Sequence, residues 1–229
     1  MMDQCAVGNT SRKMTNLPAP AREFLARIIA ILLGLVPATS CQTMYKNPDL
    51  QASLDSLGGN RPAGTTLLLD RDFQQGWRAS PEENFEPARV RLYRGPDAFH
   101  VHAVLADRVI GNTATGFNER TWQTGDVFEI FIQTEADTYF EFHVTPENQN
   151  LFLAWTTESF AAVRAKTATV EDAMIGNPDF LETTTENFPD DQLWTVRARI
   201  PYEALDFDPE ADDPELKVAF ARYDTTPGG

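Results

Sequence analysis

The alternation of apolar and polar residues is the feature of this sequence that most constrains its fold. Successive side chains of a β-strand point to opposite faces, so each alternating segment predicts a strand with one apolar face. Several segments alternate strictly, and the predicted strands are 65–70, 88–94, 99–106, 126–133, 139–145, 151–155, 193–200 and 216–223. Eight short strands with few helical segments predict an all-β fold, an antiparallel β-sandwich of two sheets.

Two segments depart from this alternation. Region 157–188 predicts a short helix around 158–165 followed by a loop, and "PYEAL", 201–205, predicts a single helical turn at a strand end. Gly58, Gly59 and Pro62 lie near the end of a polar segment, 41–63, which is predicted to be a tether. The folded domain is then expected over 64–229.

Strand registers follow from requiring apolar residues to face one another. In the hairpin of 126–145, the apolar pairs are Ile132 with Phe140, Ile130 with Phe142 and Phe128 with Val144. This register sets Glu129 directly opposite His143 on the other face. Continuing into the next strand places Leu153 beside His143 and Trp155 beside Glu141, which leaves Trp155 on the polar face as well.

The hairpin of the predicted strands 88–94 and 99–106 also has one apolar face and one polar face. Val90 and Leu92 face Ala103 and Val101, so His100 and His102 point away from the core. All three histidines of the chain are therefore expected outside the apolar interior.

The N-terminal segment resembles an export signal. Basic residues precede the apolar run 28–36, which is too short to span a bilayer but suits a signal peptide. Residues 1–40 are predicted to be this signal, with Met14 as a plausible alternative start. Small residues precede Cys41, as in a bacterial lipoprotein box, so Cys41 is the predicted lipid attachment residue and the domain is expected to be extracytoplasmic.

The charge limits the partners of this chain. There are 19 Lys and Arg residues against 34 Asp and Glu residues, a net charge of -15. The electrostatic field of this negative charge repels nucleic acids and anionic membrane surfaces. Membrane association is therefore expected only through a lipid anchor.

The sequence contains none of the common catalytic motifs, such as G-x-S-x-G, a glycine-rich phosphate loop or H-E-x-x-H. One enzymatic alternative is a zinc site built from His100, His102 and His143, with one coordination position open. A non-catalytic alternative is sugar binding. Trp122 can stack on a sugar ring while Glu129, His143 and Trp155 supply neighbouring hydrogen-bonding groups.

Four segments together resemble family 9 carbohydrate-binding modules and related DOMON-like domains: "VRLYRGPDAFHVHAVLAD", "TWQTGDVFEIFIQ", "YFEFHVTPENQ" and "LWTVRARIPYEAL". The resemblance covers roughly residues 65–223. It implies a non-catalytic β-sandwich that binds polysaccharides or oligosaccharides and accompanies glycoside hydrolases. On this resemblance Trp122 takes the place of a stacking tryptophan, Glu129 that of the sugar-binding carboxylate, and His143 that of an arginine.

The resemblance carries further expectations. A second stacking tryptophan lies near the end of the family pattern, whereas this sequence stops at "YDTTPGG", so the domain is expected to be C-terminally truncated and to lack its last strand or strands. Structural calcium is expected in some members, although no ligand spacing identifies a calcium site here. The DOMON-like alternative is a haem or redox module, with Met174 and a histidine as iron ligands.

Overall fold

The computed structural model describes residues 48–56, 60–75, 80, 85–134, 137–211 and 214–225. These residues form nine strands, in chain order β1 Thr66–Asp72, β2 Ala88–Arg94, β3 Ala98–Ala106, β4 Val127–Gln133, β5 Thr138–Val144, β6 Asn150–Thr156, β7 Glu182–Phe188, β8 Leu193–Pro201 and β9 Lys217–Tyr223. They also form two α-helices, α1 Pro48–Ser56 and α2 Thr157–Arg164. Short 3-10 turns span Thr121–Gln123, Val170–Ala173, Pro178–Phe180, Pro189–Asp191 and Tyr202–Leu205.

The strands form two sheets in which all neighbours pair antiparallel. The first sheet has the order β1-β2-β3-β8-β7 and the second has the order β6-β5-β4-β9. The predicted antiparallel β-sandwich of two sheets is confirmed. The helical turn predicted at 201–205 and the helix predicted around 158–165 are present.

The core lies between the two sheets and is rich in aromatic residues. Its largest fully buried side chains include Trp194, Phe99, Phe128, Phe142, Phe152 and Phe220. These rings come from both sheets, and Phe128 stacks on Phe220 with ring centroids 5.9 Å apart. Each fully buried phenylalanine contributes about 2–3 kcal/mol of hydrophobic free energy, so this layer is the main source of stability.

The register predicted for the β4–β5 hairpin is confirmed, including Glu129 opposite His143. The predicted β2–β3 register is confirmed as well. The β5–β6 register differs by two residues, because His143 pairs with Leu151 and Trp155 pairs with Tyr139. The turn between these strands closes at Thr145 and Gln149, with Asn148 in the left-handed region at φ 59°.

Strand β7 lies within the segment that was predicted to be a loop. Two of its inward positions are threonines. Thr185 donates a hydrogen bond to the Pro146 carbonyl at 2.8 Å, and Thr183 bonds with Asn150. The strand is an edge of its sheet, where polar side chains are tolerated. It was missed because the segment has no apolar alternation.

Helix α1 corrects the predicted tether. Leu50 and Leu54 of this helix are buried in an apolar cluster with Val104 and Leu193 on the outer face of the first sheet. Asp55 forms an ion pair with Arg91 of β2 at 2.7 Å. Residues 48–56 therefore belong to the folded domain.

The predicted signal peptide, 1–40, and the lipid attachment residue, Cys41, lie outside the described residues. Among the helices that the structure describes, none is both long enough and apolar enough to cross a membrane.

We predict that Leu54→Ala lowers the free energy of unfolding by about 2–4 kcal/mol, because it removes a buried side chain and leaves a cavity. Urea denaturation of the full chain measures this loss. Leu67→Ala is the control, since Leu67 is 43% exposed on β1 and its replacement changes stability by about 0.5 kcal/mol or less. Equal stability of the two variants would restore the interpretation of 48–56 as a tether.

Candidate functional site

The outer face of the second sheet brings two carboxylates and an imidazole together. Glu129 of β4 pairs directly with His143 of β5, and Glu141 lies two residues before His143 on the same face. The His143 Nε2 atom is 2.8 Å from Glu141 Oε1 and 3.3 Å from Glu129 Oε1. We call these three residues the acid–histidine cluster.

Two further hydrogen bonds fix the orientation of this cluster. The Thr121 hydroxyl lies 3.0 Å from His143 Nδ1, at the start of the 3-10 turn that precedes β4. The Trp155 indole Nε1 donates to Glu141 Oε2 at 2.9 Å. Because both ring nitrogens of His143 have protein partners, the imidazole is held in one orientation.

Trp122 borders the cluster from the same 3-10 turn. Its ring meets the His143 ring edge to face, with centroids 5.6 Å apart and an interplanar angle of 68°. The side chain is only partly buried. Trp122 is therefore an aromatic surface that is in contact with solvent on one side and with the acid–histidine cluster on the other.

The β6 side of this face is covered by the segment that follows β6. Helix α2 begins with a reciprocal capping box between Thr156 and Ser159. Phe160 of α2 packs on Trp155 and Tyr139. The segment after β6 and the outer face of the second sheet share an apolar cluster. Its buried members are Leu151, Leu153, Trp155 and Ala173.

Burial changes the roles that the predicted residues can have. The side chains of Glu129 and His143 are each only 2% exposed, whereas that of Glu141 is 17% exposed. The predicted binding residues do converge, but Glu129 and His143 are closed to solvent and Trp155 is buried. Glu141, the more exposed of the two carboxylates, was not among the predicted site residues, although its position two residues before His143 assigns it to the same strand face.

Burial dominates the electrostatics of the cluster. It raises the pKa of Glu129 to about 7, against the opposing effect of the charge on His143. Burial alone would lower the pKa of His143, but the carboxylates of Glu129 and Glu141 outweigh it and raise that pKa. The pKa of Tyr223 is also raised, first by burial and then by the charges of Glu129 and Glu141.

The zinc site predicted from His100, His102 and His143 is wrong. His100 and His102 lie on the outer face of the first sheet, where they pair with Tyr93 and Arg91 of β2 and with Arg199 and Arg197 of β8. His143 lies on the outer face of the other sheet, so the sandwich core separates the two groups.

Met174, the iron ligand of the haem alternative, lies beside β6. Its backbone forms an isolated bridge with Leu153, and its side chain packs on the apolar cluster of Leu151 and Trp155. Both ring nitrogens of His143 contact protein atoms in the same structure. The haem alternative remains a prediction for which these contacts offer no support.

No family model matches the chain, and no curated protein matches it. Three solved structures are similar to it in backbone. One is a proposed carbohydrate-binding protein from Bacteroides uniformis, with 14% identity, a TM-score of 0.44, and coverage of 79% of this chain and 78% of the other.

The other two are family 9 carbohydrate-binding modules from Caldicellulosiruptor kristjanssonii. The complex with cellotriose has 15% identity and a TM-score of 0.41, covering 72% of this chain and 76% of the other. The complex with glucose has 14% identity and a TM-score of 0.40, covering 72% and 78%. These neighbours are of the kind that the sequence resemblance predicted, but such similarity is too low to transfer their sugar contacts to this chain.

We predict that His102 makes stability fall in acid. Burial, followed by the positive charges of Arg197, His100 and Arg91, lowers the pKa of His102 from 6.5 to about 4. Between these values the unfolded chain binds the proton and the folded chain does not, so His102 reduces stability as pH falls from about 7 to 4. Relative to His102→Gln, the wild type should lose on the order of 2 kcal/mol over this range.

Urea denaturation of both proteins at several pH values measures this difference. His100→Gln is the control, because His100 is only partly buried and its replacement should produce a smaller change. A difference between wild type and His102→Gln that is constant with pH would contradict the prediction.

Proposed function

We propose that this chain is a non-catalytic carbohydrate-binding β-sandwich. In this proposal a sugar ring stacks on Trp122, and Glu141 accepts hydrogen bonds from the sugar hydroxyls. Glu129, His143 and Trp155 act from behind Glu141 and hold its carboxylate in place. The ligand is an oligosaccharide or polysaccharide.

The observation that carries the proposal is the position of Trp122. A partly exposed indole lies against the imidazole of His143, and the Nε2 atom of this imidazole contacts the partly exposed carboxylate of Glu141. Sugars present an apolar ring face and a rim of hydroxyl groups, and an aromatic plane beside an oriented carboxylate matches both. A neutral ligand is also compatible with the strong negative charge of the chain.

The arrangement of the carboxylates favours binding over hydrolysis. Glycosidases use two carboxyl groups that flank the scissile bond of a bound sugar. Glu129 and Glu141 instead share one imidazole nitrogen, and Glu129 is closed to solvent. Only Glu141 of this pair can meet a ligand without a rearrangement, so the cluster supplies one accessible carboxylate.

The proposed setting is extracytoplasmic. The signal-like segment 1–40 and Cys41 support export and lipid attachment, and the surface of the domain would then meet glycans outside the cytoplasm. In this setting the domain assists polysaccharide degradation by holding an associated glycoside hydrolase near its substrate.

We predict that Trp122→Ala weakens sugar binding about five- to tenfold, because a lost stacking contact is worth roughly 1–1.5 kcal/mol. Calorimetric titration of the full chain with glucose, cello-oligosaccharides and xylo-oligosaccharides measures the affinity. Glu141→Gln should weaken binding as well, since an amide oxygen is a poorer acceptor than a carboxylate.

Gln123→Ala is the matched control, because Gln123 is an exposed residue of the same 3-10 turn. It should bind the same sugars as the wild type. Wild-type titrations without heat across the whole sugar panel, or equal effects of Trp122→Ala and Gln123→Ala, would overturn the proposal.

A further inference from the structure

We propose that Glu129, Glu141 and His143 bind one divalent transition-metal ion, such as Zn²⁺ or Mn²⁺. One carboxylate oxygen from each glutamate and one imidazole nitrogen lie within 4.8 Å of one another. All three side chains project from adjacent strands of one sheet, so a rigid backbone holds the donor atoms together. The site uses the inner side of the acid–histidine cluster and shares Glu141 with the proposed sugar site.

An unpartnered oxygen of Glu129 points independently to a ligand. Glu129 is 2% exposed, and its Oε2 atom has no hydrogen-bond partner among the described residues. A carboxylate oxygen that is both buried and unpaired costs several kcal/mol. A metal ion bound by this carboxylate removes that cost, because the ion replaces the missing partner.

The charges within the cluster lead to the same inference. Two carboxylates approach a single imidazole nitrogen. A proton on Nε2 can donate a strong hydrogen bond to only one of these carboxylates. Glu141 at 2.8 Å is the partner in that case, while Glu129 at 3.3 Å is poorly paired. A divalent cation balances both carboxylates with the imidazole neutral, and it accepts one bond from each group.

The surrounding hydrogen bonds are those that orient metal ligands. The Thr121 hydroxyl contacts Nδ1 of His143, so Nε2 is the ring nitrogen that faces the carboxylates. The Trp155 indole contacts Oε2 of Glu141 and leaves Oε1 directed at the cluster. Outer hydrogen bonds of this kind fix the tautomer of a ligating histidine and the rotation of a ligating carboxylate.

The donor set selects the class of metal. Calcium and magnesium bind oxygen ligands, whereas an imidazole nitrogen favours zinc and other transition metals. One nitrogen with two carboxylates therefore indicates Zn²⁺ or Mn²⁺. The structural calcium expected from the family resemblance would need a different set of ligands.

A second group of acids provides a contrast. Glu86, Asp107 and Asp224 also lie close together. Their charges are balanced by arginines, because Arg108 pairs with Glu86 while Arg222 contacts Asp107 and Asp224 at 3.2 and 3.5 Å. That group needs no cation, and the acid–histidine cluster is the better metal site of the two.

We predict that the full chain, produced without a polyhistidine tag and stripped with a chelator, binds Zn²⁺ or Mn²⁺ at one ion per chain. Calorimetry gives the stoichiometry, and Trp122 and Trp155 report binding through their fluorescence. Glu129→Gln and His143→Gln should each weaken binding at least about 100-fold, since each removes a ligand. His102→Gln is the matched control, because it changes a buried histidine of the other sheet and should bind like the wild type.

The Mn²⁺ titration distinguishes binding at this site from binding at the thiols of Cys5 and Cys41, because manganese prefers oxygen and nitrogen ligands to thiolates. Circular dichroism establishes that each variant is folded. If His143→Gln unfolds, the isosteric Glu129→Gln decides the question. Absence of binding with both ions at about 1 mM, wild-type affinity in Glu129→Gln, or an equal loss in His102→Gln would overturn the proposal. No sugar is present in these titrations, so their failure and that of the sugar titrations are separate results.

Discussion

The apolar pairing across β4 and β5 determines where the three side chains of the acid–histidine cluster lie. Phe128, Ile130 and Ile132 are buried against the other sheet, and their partners on β5 are apolar as well. A shift of one residue would move Glu129 into the core and Ile130 out of it, at a cost of several kcal/mol. The hydrophobic layer thus holds a glutamate opposite a histidine, although neither residue takes part in that layer.

Both sheets carry apolar side chains on their outer faces, and each is therefore covered by a helix. Val104 and Leu193 of the first sheet are buried beneath α1, while Leu151 and Leu153 of the second sheet pack with the segment that includes α2. On the same outer face of the second sheet, Glu129 and His143 are buried. Because water is excluded, the interactions within the acid–histidine cluster are stronger than they would be on an open sheet face.

The sequence predicted most of the fold because a period of two is decisive for the face on which a side chain lies. It could not predict the β5–β6 register, since a shift of two residues leaves every side chain on the same face and only the Thr145–Gln149 turn distinguishes the alternatives. It placed Glu129 opposite His143 but not their burial, since the contacts of His143 with Thr121 and Trp122 come from a turn outside the two paired strands. Helix α1 was missed for a similar reason, because its two buried leucines stand among polar residues and require Val104 as a partner.

The carboxylates on the two outer faces have different partners, and this difference supports a ligand-binding role for the acid–histidine cluster. On the first sheet, acids pair with arginines across strands, as Asp72 does with Arg89 at 2.7 Å and Glu182 does with Arg199 at 3.0 Å. An arginine keeps its charge at any physiological pH and offers several donors. On the second sheet, two glutamates depend on one histidine whose charge is conditional. At position 143 the histidine supplies what an arginine cannot, a neutral nitrogen donor beside two carboxylates, as the proposed metal site requires.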